Sequence, residues 1–162
     1  MSHPVAEERP TAHGDALNGL RAAIAEERHP ESAAQRVVDL LHDRFAHYDW
    51  VGIYWVEDTD LLLGPWMGAQ ATEHTRIPIG TGICGAAEAS GTTEIVADVN
   101  ADARYLACFA STRSEIVVPI FEGGEVIGEI DVDGSDLDAF DDTDARFLEE
   151  VAALLAPLRP RA

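Results

Sequence analysis

The sequence predicts an α+β domain, an antiparallel sheet flanked by N-terminal and C-terminal helices. Three observations carry this. Long helical periodicity falls near the two ends of the chain, and β-branched and aromatic runs fill the stretches between. A Gly123-Gly124 pair joins two of those runs, as in a tight hairpin. Helices at the ends with antiparallel hairpins between them are not the alternating pattern of a doubly wound sheet. At 162 residues the chain fits one domain.

Each element has a local reason. Residues 1–13 carry Pro4 and Pro10 without periodicity and read as a flexible lead-in to a single domain over 14–157. Leu17, Leu20, Ala23 and Ile24 predict a helix that ends before Pro30. Pro30 and Ser32 open a second helix, with Val37, Val38, Leu41 and Phe45 on one face. Trp50 to Val56 is a strand, and Leu61 to Leu63 begins its partner after the Asp58-Thr59-Asp60 turn. From 64 to 113 the chain is rich in loops, broken by Pro65, Pro78 and several glycines. A short helix near Gly85–Ala89 and a strand near Thr93–Val96 are expected there. Glu115–Phe121 and Glu125–Asp133 form the clearest hairpin. A helix over Asp142–Leu155 closes the domain, with Phe147, Leu148, Val151, Leu154 and Leu155 as its core stripe. Its acidic first turn suits the helix dipole, and Pro157 stops it.

Charge narrows the function. Thirty acidic residues face eleven basic ones, for a net charge of −19, and every basic residue apart from histidine is arginine. Such a surface repels nucleic acid and anionic membranes, so neither is an expected partner. The carboxylates are spread from Glu7 to Glu150 rather than gathered in a tail. Dispersed acidity without lysine predicts a halophilic protein, whose self-repulsion is screened by a salty cytoplasm. No run approaches membrane-spanning length and no leader pattern opens the chain, so a cytoplasmic location is expected.

Cys84 and Cys108 are the only cysteines. In a reducing compartment they argue against a structural disulfide, and for catalysis, metal binding or plain packing. Gly80-Thr81-Gly82-Ile83-Cys84-Gly85 fits a dinucleotide fingerprint in letters only. Pro78 interrupts the strand before it, and Ser90-Gly91 ends the helix after it too early. Its glycines instead suit a turn that delivers Cys84 to a helix N-terminus, where backbone N–H groups would lower the thiol pKa. His74 with the two cysteines could supply three zinc ligands, but no C-x-x-C or H-x-x-x-H spacing supports a metal. Trp50, Tyr54 and Trp66 fit either a core or a cage for a small ligand. Asp131 and Asp133 share one strand face, which Glu115 could join. Such a trio either lies in water or converges on a cation.

Together these stretches resemble the free methionine-(R)-sulfoxide reductases, a branch of the GAF-domain superfamily. The resemblance runs from about Trp50 to Leu155. It rests on Trp50-Val51-Gly52-Ile53-Tyr54, Gly64-Pro65-Trp66, the block from Arg76 to Gly85, and Leu106-Ala107-Cys108. Ser114 to Pro119 and Ile127-Gly128 with Asp131-Val132-Asp133 complete it. It implies a GAF-like fold in which Cys108 is the nucleophile and Cys84 the resolving cysteine. Glu115, Asp131 and Asp133 would hold the substrate amino group and help protonate the sulfoxide oxygen, and Trp50, Tyr54 and Trp66 would enclose its side chain. Free methionine sulfoxide would be the substrate and a thioredoxin-type dithiol the reductant, with no bound cofactor and a homodimer left open. The family's further cysteine before R-I-P is absent, Phe109 stands at a usual aspartate, and Arg113 at a common asparagine. The competing class is a non-catalytic GAF sensor or dimerisation module on the same scaffold.

Overall fold

A computed structural model describes residues 9–107 and 109–161. Helices α1 (Arg9–Glu26) and α2 (Pro30–Arg44) precede strands β1 (Trp50–Glu57), β2 (Asp60–Gly68) and β3 (Arg76–Pro78). Helix α3 (Gly82–Ser90) and strand β4 (Glu94–Val96) follow, then the long hairpin β5 (Ser114–Glu122) and β6 (Glu125–Gly134). Helix α4 (Asp142–Leu155) ends the fold. The six strands lie in the order β3-β2-β1-β6-β5-β4, and all five pairings are antiparallel. This is the α+β architecture expected.

Side-chain alternation gives the sheet two different faces. Val51, Ile53, Ile116, Val118, Ile120, Ile130 and Val132 point into one core, where α1, α2 and α4 cover them. Trp50, Tyr54 and Val117 point the opposite way, into a second cluster with Ile83, Cys84 and Ala87 of α3. The first core is largely apolar and holds a buried polar network. Asp144 accepts hydrogen bonds from the Tyr48 hydroxyl (2.8 Å), the His47 ring (3.2 Å) and the Asp141 N–H (3.1 Å). His13 Nε2 lies 3.6 Å from the same carboxylate. Burial alone would raise the Asp144 pKa, but these donors outweigh it and hold the carboxyl far below the usual range. Asp141 caps α4 by accepting from Thr143 and Asp144 N–H groups, completing a capping box.

Three elements differ from the sequence reading. α1 starts at Arg9, within the expected lead-in, because a proline fits the first turn of a helix. β2 continues through Pro65 to Gly68. The register jumps there, with Gly52 opposite Trp66 but Tyr54 opposite Leu63, and a proline without an N–H sits comfortably at such an irregularity. β3 was not expected; it pairs only with the first three residues of β2. Gly123 and Gly124 adopt φ of 60° and 81°, as the hairpin turn requires.

Candidate active site

The site is built on the sheet face beneath α3. Gly80 and Gly82 adopt φ of 90° and 68°, which turns the chain sharply from β3 into α3. Gly85 lies so near this turn that a Cβ there would stand 2.8 Å from the Gly80 nitrogen. The glycine pattern therefore serves a close backbone crossing that sets Cys84 in the first turn of α3, against β5 and β6.

Beneath Cys84, registered pairing writes out three rows across β1, β6 and β5. They read Trp50–Asp133–Glu115, Gly52–Asp131–Val117 and Tyr54–Glu129–Pro119. The acidic members are not a solvated face. Glu115 is 4% exposed, Asp131 and Asp133 are 2%, and Glu129 is 0%. The sequence reading missed Glu129, although it alternates with Asp131 and Asp133 and so shares their face.

Electrostatics follow from that burial. Desolvation raises the Asp133 pKa to about 7; a hydrogen bond with Glu115 opposes this and the charge of Asp49 adds to it. Burial and the neighbouring Asp133 push Asp131 well above its ordinary value, against hydrogen bonds from Cys84 and Glu115. Glu129 is likewise driven up, chiefly by burial. The Cys84 thiol moves in the same direction, through burial first and then the charges of Asp131, Glu129 and Glu115. This corrects the expectation of a thiol acidified by the helix N-terminus. A few N–H dipoles do not outweigh desolvation beside carboxylates.

Space completes the site. A cavity of about 300 Å³ is lined by Trp50, Gln70, Phe109, Thr112, Asp133 and Ser135. Beside it a pocket of about 10 Å³, room for one water, touches Thr81, Cys84, Tyr105, Glu115 and Asp131. The Trp50 indole lies across Gly52 and Gly68, where any Cβ would strike its ring. Its ring centroid is 6.2 Å from that of Trp66 and 5.8 Å from that of Phe109. Trp50 and Phe109 thus face the cavity, and Trp66 stacks on Trp50. Tyr54 does not line the cavity: it is fully buried and its hydroxyl donates to the His74 carbonyl at 2.8 Å. The His74 ring in turn donates through Nε2 to the Ala107 carbonyl, 3.0 Å away. Arg104, forked onto Asp102 and paired with Glu94 at 3.2 Å, braces the same loop. Cys108 lies outside the described residues, and Arg113 is exposed.

Among the described residues one group has donors close enough for a metal ion. Cys84 Sγ and oxygens of Glu115 and Asp131 all lie within 4.8 Å of one another. Carboxylates so placed suit an ammonium equally well.

A GAF-domain family profile matches residues 29–157. The free methionine-R-sulfoxide reductase of Escherichia coli is 37% identical over 116 residues, covering 72% of this chain and 69% of that protein. This chain belongs to the free methionine-R-sulfoxide reductase family. Among solved members of that family, the Neisseria meningitidis enzyme in complex with its substrate superposes with a TM-score of 0.87 at 35% identity. That superposition covers 98% of this chain and 93% of the other. The type II member from Thermoplasma acidophilum is 40% identical, with a TM-score of 0.78 over 80% of this chain and 91% of its own. Membership favours the reductase over the sensor reading. Among the described residues no helix is long and apolar enough to cross a membrane.

Proposed function

We propose that this protein reduces free methionine-(R)-sulfoxide to methionine, with Cys108 as nucleophile and Cys84 as resolving thiol. The observation that carries the reading is the buried carboxylate row beside Cys84, which ends at an aromatic-walled cavity. Gathering carboxylates in a buried site is costly, and an amino-acid ammonium offsets that cost. Glu115, Asp131 and Asp133 hold that ammonium, and Trp50 and Phe109 flank the methyl-sulfoxide end. A peptide-bound methionine has no free ammonium, so it leaves the carboxylates unpaired and is rejected. Phe109, in place of the usual aspartate, adds to the apolar wall.

The Cys108 thiolate attacks the sulfoxide sulfur while the carboxyl cluster gives a proton to the sulfoxide oxygen. The substrate S–O bond breaks as the oxygen passes to the cysteine as a sulfenic acid, and methionine departs two electrons richer. The Cys84 thiol then displaces water from that sulfenic acid and closes a disulfide. A thioredoxin-type dithiol reopens it. The enzyme works in a high-salt cytoplasm, in keeping with its net charge of −19.

The test is a thioredoxin-coupled assay in molar potassium chloride, with both epimers of free methionine sulfoxide. Turnover of the R epimer alone is expected. Cys108→Ser should release no methionine, and Cys84→Ser about one equivalent per subunit before stalling. Undiminished turnover in Cys108→Ser would overturn the assignment.

A further inference from the structure

Glu129 is not among the carboxylates assigned to the ammonium. It lies four residues along β6 from Asp133, roughly 13 Å at strand spacing, and it does not line the large cavity. Yet it is wholly buried, between Tyr54 of β1 and Pro119 of β5. Neither of its carboxyl oxygens meets a hydrogen-bond partner of full geometry. Helix α3 packs on β6, and Cys84 Sγ lies within 4.8 Å of an oxygen of Asp131, the next residue along the face that Glu129 shares. The Cys84 and Glu129 groups accordingly shift each other's protonation. A carboxyl placed in a strand core without a partner calls for an explanation.

We infer that Glu129 is the general base of the resolving step, its carboxylate taking the proton of the Cys84 thiol as the disulfide forms. This rests on the reductase reading. To attack the Cys108 sulfenic acid, Cys84 must become a thiolate in a pocket that already contains negative groups. Moving its proton to Glu129 leaves the pocket's net charge unchanged, so the low dielectric does not oppose the transfer. The atoms balance. The Cys84 S–H bond breaks and a carboxyl O–H forms on Glu129. The new thiolate makes the S–S bond as the Cys108 S–O bond breaks, and Glu129 returns the proton to the departing hydroxide as water. Burial makes Glu129 a stronger base than an ordinary carboxylate. The other groups facing this pair are Glu88 on α3, Asp131 on β6 and Glu115 on β5.

Glu129→Gln keeps the shape and removes the base. With free methionine-(R)-sulfoxide it should release its first equivalent of methionine like wild type. Multiple turnover should then fall at least tenfold, with a dimedone-reactive sulfenic acid accumulating. A purely electrostatic role predicts the opposite. Removing a nearby negative charge lowers the Cys84 pKa, so the pH inflection of its alkylation by iodoacetamide in a Cys108→Ser background should move down, and disulfide closure should be as fast or faster. Slower closure despite an easier thiolate is the signature of a lost proton acceptor. Glu129→Val, which suits the strand core, should melt no lower than wild type and show the same stall, which excludes misfolding. Wild-type turnover in Glu129→Gln would overturn the role of Glu129 and leave the reductase intact. Failure of wild type to release methionine from either epimer would overturn both.

Discussion

Asp133→Asn tests the electrostatic reading of the site most directly. In the folded protein this carboxyl titrates near pH 7 rather than at its ordinary 3.8. A difference of that size corresponds to about 4 kcal/mol between the two protonation states. The folded pKa lies above the unfolded one, so the penalty is absent below about pH 4 and grows as the pH rises toward 7. Asparagine cannot ionise and escapes it. At pH 8 the variant should therefore be more stable than wild type, by up to about 4 kcal/mol. In a domain of this size about 2–4 °C accompanies each kcal/mol, so the ceiling is roughly 8–16 °C. The lost hydrogen bond to Glu115 and relaxation of Asp131 reduce the observed gain to several degrees. The measurement is the difference in thermal midpoint between variant and wild type at pH 4.5 and pH 8, both in molar potassium chloride. A gain at pH 8 that vanishes at pH 4.5 is expected. An equal difference at the two pH values, or a strong loss at pH 8, would refute the picture of a frustrated carboxylate. The same variant should turn over free methionine sulfoxide poorly, because the cost it removes is what the substrate ammonium otherwise relieves.

Other perturbations probe the scaffold. Asp144→Ala leaves His13, His47 and Tyr48 facing an empty buried site and should cost about 3–5 kcal/mol in urea unfolding. Because the Asp144 pKa is depressed on folding, its contribution is complete above the ordinary 3.8 and should fade as the pH falls further. Gly52→Ala pushes a methyl into the Trp50 ring, so KM for the sulfoxide should rise and stability fall by roughly 1–3 kcal/mol. Thermal midpoints of wild type should climb markedly from low salt to molar potassium chloride, and a flat response would remove the halophilic reading.

Local chemistry made some of this architecture legible. The bounds of α4 follow from its apolar stripe and acidic start, and the β5–β6 hairpin from its paired glycines. β2 past Pro65 and the short β3 were hidden because their pairing depends on partners distant in sequence. Within the site, spacing alone put Asp131 and Asp133 on one face. It left open whether that face is wet, because the answer depends on α3 packing above it. The same covering reversed the expected direction of the Cys84 pKa. Tyr54 belongs to the expected strand face, yet its hydroxyl is engaged with the His74 carbonyl, a contact no local pattern encodes.

The two-faced sheet has a consequence for how such a protein changes over generations. Along β6, Ile130 and Val132 support the helical layer, while Glu129, Asp131 and Asp133 face the candidate site. Neighbouring positions thus answer to separate demands. Variation at one parity can explore new ligands while the other parity keeps the chain folded. A common scaffold with interchangeable reactive faces lets a lineage pass between sensing and catalysis without first rebuilding its foundations.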